Sequence, residues 1–346
     1  MSAATMKDNG AATTPRIALD AMGGDYAPGA TVQGALEAVR TLDCHVLLVG
    51  DPQALEAELG KHNGIATRIT IVPSEGMITE DDHPAQALRS KPRASILVAN
   101  QLVKQGEADA VVSMGSTGAT MASATMVLGT LPGLDRPCLG GPFLGLAPNT
   151  VVVDMGSNID CRPSLMLGFG VMGSVFAHHY LKIEQPRVGL LSVGAEESKG
   201  NRQVREAFPL FKASSLNFVG NLEGMDFFTD KADVIVCDGF VGNVIMKFTE
   251  GLGTTLAGYL KNMLSDKLPP GELGSLADKM WEVNNLAKRM GGPLFGVQGA
   301  VVIGHGASGP ESVAGAIDTA RKCVEIRLVE NMRAELEALE TASPTS

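Results

Sequence analysis

About eight times along this chain a short apolar run stops at a polar, glycine-containing turn and gives way to a helical pattern. That alternation calls for a mostly parallel sheet with helices packed on its faces. The stretch 232–251, ADVIVCDGFVGNVIMKFTEG, shows it most clearly. Val234 to Cys237 is β-branched and apolar, the length of one buried strand. Asp238 and Gly239 interrupt it, Gly242 loosens the turn, and from Asn243 the apolar residues Val244, Ile245, Phe248 and Leu252 follow helical spacing. Asn243 reads either as the cap of that helix or as a side chain presented at a strand's carboxyl end, where ligands bind in such sheets.

The same pattern recurs. Residues 16–20 lead into AMGGDYAPG, where Gly23 and Gly24 sit between Asp20 and Asp25. Residues 110–113 lead into MGSTG, so Ser116, Thr117 and Gly118 stand at a helix start. Hydroxyls and backbone N–H groups there suit a phosphate, or the serine is an ordinary cap. Residues 151–154 run into MGSN, ending at Asn158, and residues 300–304 run into HGASG, with His305. Residues 187–193 run into GAEESKGN, which holds Glu197, Lys199, Gly200 and Asn201. A lysine at a strand end beside carboxylates is a candidate for holding an anionic substrate. Gly168, Gly170 and Gly173 spell GxGxxG, but no strand immediately precedes them, so they read as close helix packing and not a dinucleotide site. No phosphate-binding GxxxxGK[ST] pattern occurs.

A formal charge of −10 speaks against a nucleic-acid partner. Arg89, Lys91 and Arg93 form the one clear basic cluster, either a solvated face or a surface that meets an anion. Five scattered cysteines without a CxxC pair fit reduced thiols in a cytoplasm and point to no metal site. The uncharged stretch between Asp109 and Asp135 carries Gly, Ser and Thr throughout and reads as strand plus helix, not as a membrane span. A helical hairpin is expected over 243–290, turning at Pro269–Pro270–Gly271. It suits a dimer interface first, then a membrane surface or simple packing on the domain. Residues 15–340 read as one α/β domain, and 1–14 and 341–346 as disordered ends.

Together DAMGGDYAP, SMGSTGA, DMGSN, RVGLLSVGAEESKGN, FVGNLEG, ADVIVCDGFVGN and VVIGHG resemble, in order, the blocks of the bacterial phosphate acyltransferase, or PlsX, family. The resemblance covers about residues 16–325. It implies a Rossmann-like α/β/α homodimer related to phosphate acetyltransferases and isopropylmalate-dehydrogenase-type folds. The implied reaction takes acyl-acyl-carrier-protein and inorganic phosphate to acyl phosphate and free carrier protein, feeding glycerol-3-phosphate acylation in phospholipid synthesis. No cofactor is implied, since phosphopantetheine arrives on the carrier. The family's proposed catalytic residues fall on Lys199 and Asn243, and its peripheral membrane association on the hairpin tip near 264–273. Ser116 and Ser157 depart from the family's usual residues, and the block at 291–296 is one residue short. The rivals are a short-chain enzyme acting on acyl-CoA, a nicotinamide dehydrogenase of related fold, and a non-catalytic carrier-protein scaffold.

Overall fold

The computed structural model describes residues 14–62, 67–79, 82, 84–285 and 290–342. Eleven strands form one sheet: β1 (Arg16–Asp20), β2 (His45–Gly50), β3 (Ile69–Pro73), β4 (Ala110–Ser113), β5 (Cys138–Gly141), β6 (Val151–Val153), β7 (Arg187–Leu191), β8 (Asn217–Leu222), β9 (Val234–Val236), β10 (Gly292–Phe295) and β11 (Ala300–Ile303). Their order is β3-β2-β1-β4-β11-β10-β5-β6-β9-β7-β8.

Strand polarity divides this sheet. β3, β2, β1, β4 and β11 are parallel, as are β6, β9, β7 and β8. β10 is antiparallel to β11 and to β5, and β5 is antiparallel to β6. Hence β5 runs with the first group, β10 runs with the second, and the two groups point in opposite directions. β5 and β10 are absent from the strand pattern expected from sequence. CLGG and GPLF carry Gly and Pro where a strand normally alternates apolar residues.

Alternate residues of each strand feed opposite faces. Ile17, Leu19, Val46, Leu48, Val234 and Val236 pack on one face with helices 29–41, 163–179 and 310–325. Ala18, Leu47, Val49 and Val111 pack on the other with helices 95–104 and 117–128. Ile235 and Val152 meet Val241 and Ile245 there, on helix Gly239–Leu264. Each of the Val, Leu and Ile side chains among them contributes about 1.5–3 kcal/mol on full burial. The result is the expected mostly parallel α/β sheet covered by helices.

Several boundaries differ from the sequence reading. Helix Gly239–Leu264 begins four residues earlier than expected, because Asp238 caps it by accepting the Val241 N–H at 2.8 Å. Asn243 is therefore not the cap. It is a side chain one turn inside the helix. The sequence pattern from Glu311 to about Leu339 suggests one long final helix, but the chain forms two, Pro310–Glu325 and Leu328–Ala342, separated at Arg327 with φ 51°. The GxGxxG glycines lie inside helix Pro163–His179, where an added Cβ would come within 2.7 Å of Leu134, Phe211 or Val234. They serve close packing, as expected. The hairpin pairs helix Gly239–Leu264 with Pro270–Val283. No described helix is long and apolar enough to cross a membrane. The expected disordered ends fall outside the described residues, except Thr14, Thr341 and Ala342; the last two belong to the final helix.

Candidate active site

The oppositely directed strand groups bring their turns together around one cleft of about 300 Å³. The first group contributes Gly115 and Thr117 after β4, and His305 and Gly306 after β11. The second contributes Met155 and Gly156 after β6, and Asn243, Met246, Lys247 and Glu250 from the helix after β9. Leu139 of β5 and Gly292 of β10 line it between them.

Thr117 is the first residue of helix Thr117–Leu128. Ser116 caps that helix, its Oγ accepting the Ala119 N–H at 3.4 Å. The remaining first-turn N–H groups have no intrahelical acceptor and carry partial positive charge, which favours an anion. Asp20 supports this turn from below. Ser113 Oγ donates to the buried Asp20 carboxyl at 2.8 Å and accepts the Gly115 N–H at 3.0 Å. Burial pushes the Asp20 carboxyl above its usual range, and hydrogen bonds from Ser95 and Ser113 partly offset this. Gly23 has no room for a Cβ, which would lie 2.6 Å from Asp20 Oδ2; Gly24 takes φ 103°, suited to glycine. The Asp25 N–H donates to Gly306 O at 2.8 Å, which fastens the turn after β1 to the turn after β11.

On the other side the organiser is Asp154, which directly follows β6. Its buried carboxylate accepts N–H groups of Leu139 (3.1 Å), Gly156 (3.2 Å), Ser157 (3.0 Å) and Asn158 (2.7 Å), and the Asn158 amide at 2.9 Å. Burial nonetheless raises its pKa, and those N–H groups oppose the rise. Asn158 also donates to Pro137 O at 2.8 Å, so its amide holds the turn and does not line the cleft. Ser157 Oγ accepts the Leu139 N–H at 2.9 Å, which gives that unusual serine a structural role. Gly242 seats the next helix against this turn: a Cβ there would lie 1.9 Å from Asp154 O. Its own N–H donates to Asp238 O at 3.0 Å within the helix, so it does not face a ligand. The close seat puts Asn243 beside Gly156, where an added Cβ would meet Asn243 Oδ1 at 3.3 Å.

Of the residues singled out from sequence, Thr117, Asn243 and His305 line the cleft. Lys199 does not. It is exposed on the turn after β7, the strand beside β9, and its N–H donates to Glu196 O at 3.0 Å. Gly118 is exposed next to Thr117, and Gly200 takes φ 110° beside Lys199. Asn201 caps helix Arg202–Ala213, accepting the Val204 N–H at 3.0 Å. Glu197 pairs with Lys212 outside the cleft. Asp238, besides its capping role, accepts from Gln203. In the basic cluster Lys91 pairs with Asp82 at 2.6 Å and Arg93 with Glu75 at 2.7 Å, while Arg89 is exposed. Lys91 and the Thr79 N–H hold the Asp82 carboxyl down at about 2.

Lys247 and Glu250 escaped sequence reading, although their spacing from Asn243 places them on the same helical face. Their ion pair spans 3.1 Å. No cysteine lines the cleft, and all five are buried. Burial pushes the Cys161 and Cys323 thiols up to about 12, and Cys138 and Cys237 well above the usual thiol range. A thiolate nucleophile is thereby disfavoured. Among the described residues no cluster of three or more His, Cys, Asp or Glu is placed to hold a metal ion. The cleft can bind an anion and polarise a carbonyl.

Residues 15–331 match the family described as fatty acid synthesis protein. A phosphate acyltransferase of Pelotomaculum thermopropionicum is 44% identical over 333 residues, covering 94% of this chain and 96% of that one. One from Cyanothece sp. is 42% identical over 344 residues, covering 96% and 98%. Among solved structures, a phosphotransacetylase from Streptococcus pyogenes superposes with a TM-score of 0.63 at 19% identity, covering 91% and 95%. A branched-chain phosphotransacylase from Enterococcus faecalis gives 0.56 at 14% identity, covering 90% and 99%. At these identities the two structures speak for the fold alone.

Proposed function

The chain belongs to the fatty acid synthesis family of phosphate acyltransferases and is an acyltransferase; from that premise we propose that it transfers a fatty acyl group from acyl-acyl-carrier-protein to inorganic phosphate. An oxygen of hydrogen phosphate attacks the thioester carbonyl carbon, the C–O bond forms and the C–S bond breaks. The leaving sulfur ends as a thiol with the proton that hydrogen phosphate gives up. Nothing is oxidised or reduced, and the products are acyl phosphate and free carrier protein.

One observation carries this reading: a helix N-terminus at Thr117 and the Asn243 amide share a single cleft. The first-turn N–H groups hold the phosphate. Asn243 donates to the carbonyl oxygen as it gains charge, a contact whose removal costs about 3–4 kcal/mol in comparable sites. Phosphate is already a nucleophile, so positioning and charge neutralisation suffice. His305 lies on the opposite wall and helps to shape the site. Lys199, exposed on the neighbouring turn, is assigned to the incoming donor and its anionic phosphopantetheine arm.

Arg89, Lys91 and Arg93 are assigned to the acidic carrier protein. The outer face of helix Gly239–Leu264 exposes Phe240, Val244, Phe248, Leu252 and Tyr259, an apolar stripe suited to a second copy of the chain. The hairpin turn near 264–273 is assigned to the membrane surface, where a glycerol-3-phosphate acyltransferase would consume the product. The test is release of free carrier protein from palmitoyl-carrier protein with and without phosphate, with acetyl-CoA as the alternative donor. Phosphate-dependent release supports the reading; turnover of acetyl-CoA alone replaces it with the short-chain reaction; no release from either donor overturns it.

A further inference from the structure

We propose that Lys247, held in place by Glu250, is the cation that binds the attacking phosphate, an inference that rests on the phosphate-transfer reading above. Among the described residues, Lys247 is the only lysine or arginine lining the cleft. Lys199, the lysine that sequence singled out, is outside that lining. Asn243, Lys247 and Glu250 follow one another at four- and three-residue steps and share a helical face. Asn243 and Lys247 are one turn apart, about 6 Å along the axis. A phosphate bound at Lys247 therefore lies in the same cleft and on the same helical face as the amide that meets the carbonyl, one turn away.

Charge makes the same demand. Hydrogen phosphate carries up to two negative charges near neutral pH, whereas a helix N-terminus supplies about half a positive one. The helix at Thr117 alone leaves most of that charge unmatched, and a full cation in the same cleft supplies the larger part of what is missing. The Lys247 side chain is 49% exposed, whereas Glu250 is only 11% exposed. The carboxylate is thus the fixed partner and the ammonium the presented one. An ammonium has three N–H bonds, and the 3.1 Å contact to Glu250 engages one. Holding the long lysine side chain in one place before phosphate arrives lowers the entropy lost on binding. Glu250 is in this account a positioning residue.

The experiment uses the full-length protein with inorganic phosphate as the probe. Phosphate-induced thermal stabilisation is measured without donor, and steady-state kinetics with saturating acyl-carrier protein. Lys247→Met keeps the aliphatic stem and removes the charge; Lys247→Arg keeps the charge. The expected result for Lys247→Met is a phosphate KM raised about tenfold or more, with stabilisation by phosphate lost and donor KM within about twofold of the parent. Lys247→Arg should recover most of the phosphate response. Glu250→Gln should raise the phosphate KM several-fold, less than Lys247→Met, with its melting temperature kept. Unchanged phosphate KM and stabilisation in Lys247→Met overturn the proposal while parent turnover leaves the reaction standing. A parent that binds phosphate through Lys247 but releases no carrier protein overturns the reaction and keeps the binding site. An unchanged phosphate KM in Glu250→Gln removes the positioning role.

Discussion

Gly242→Ala isolates the contact that sets the second wall of the cleft. In an open helix this change is stabilising by about 0.5–1 kcal/mol, because alanine loses less backbone freedom on folding. At position 242 the added Cβ would lie 1.9 Å from Asp154 O and 3.2 Å from Cys237 Sγ. Side-chain carbons do not approach closer than 3.0 Å, so the helix start has to retreat by about 1 Å. Overpacking of this kind costs about 1–3 kcal/mol, enough to reverse the propensity gain. The same retreat carries Asn243 away from Gly156, and a misplacement of about 1 Å in a reacting constellation costs about a hundredfold in rate. Gly274→Ala is the internal control, since nothing lies within 4 Å of its added Cβ inside helix Pro270–Val283. Denaturant unfolding and phosphate-dependent turnover are measured on both variants. Gly242→Ala should be less stable and about a hundredfold slower, and Gly274→Ala at least as stable as the parent. A Gly242→Ala protein with parental stability and rate refutes the close seat and everything drawn from it.

Further outcomes follow from named contacts. Asp154→Asn replaces an oxygen that accepts from several backbone N–H groups with an amide that donates, and should cost about 3 kcal/mol by denaturant unfolding; a loss under about 1 kcal/mol contradicts its organising role. Burial pushes the Asp233 carboxyl up, but hydrogen bonds and charge from Arg187 outweigh it and hold the carboxyl below its usual value. That contribution is present above the unfolded value of about 4 and is lost as pH falls through the folded value. After allowance for the exposure of Arg187, the parent should lose about 1 kcal/mol on acidification that Asp233→Asn does not lose; parallel acid curves contradict this. Phe248 is 68% exposed on the apolar stripe, and Phe248→Asp should convert a dimer to monomers in sedimentation experiments. A monomeric parent, or a variant that stays dimeric, removes that interface.

The strand-end pattern carries much of the fold because a buried strand and an amphipathic helix leave different apolar periods. Thr117, Asn243 and His305 could be found that way, each following a strand. The pattern could not separate binding residues from caps. Ser116, Asn158, Asn201 and Asp238 are the same residue types at equivalent turns, yet their side chains satisfy local N–H or C=O groups. Only the packing of one element on another distinguishes the two uses. β5 and β10 stayed hidden because Gly and Pro break their alternation, and with them the polarity reversal that joins the two cleft walls. Lys247 and Glu250 carry no signal of their own in the sequence, because an i,i+3 charge pair on a helix is ordinarily a solvated surface pair; the helix start at Asp238 and the close seat at Gly242 bring them to the cleft. Lys199 sits in the expected turn, but the residues that close the cleft come from the helix after β9.

In the proposed reaction the Asn243 amide stabilises the charge formed when phosphate attacks the thioester. Its side chain is exposed, so Asn243→Ala should fold like the parent. Single-turnover release of carrier protein at saturating phosphate is therefore the most direct measurement. The expected result is a rate lower by about two to three orders of magnitude with unchanged melting temperature. A rate within about twofold of the parent contradicts it.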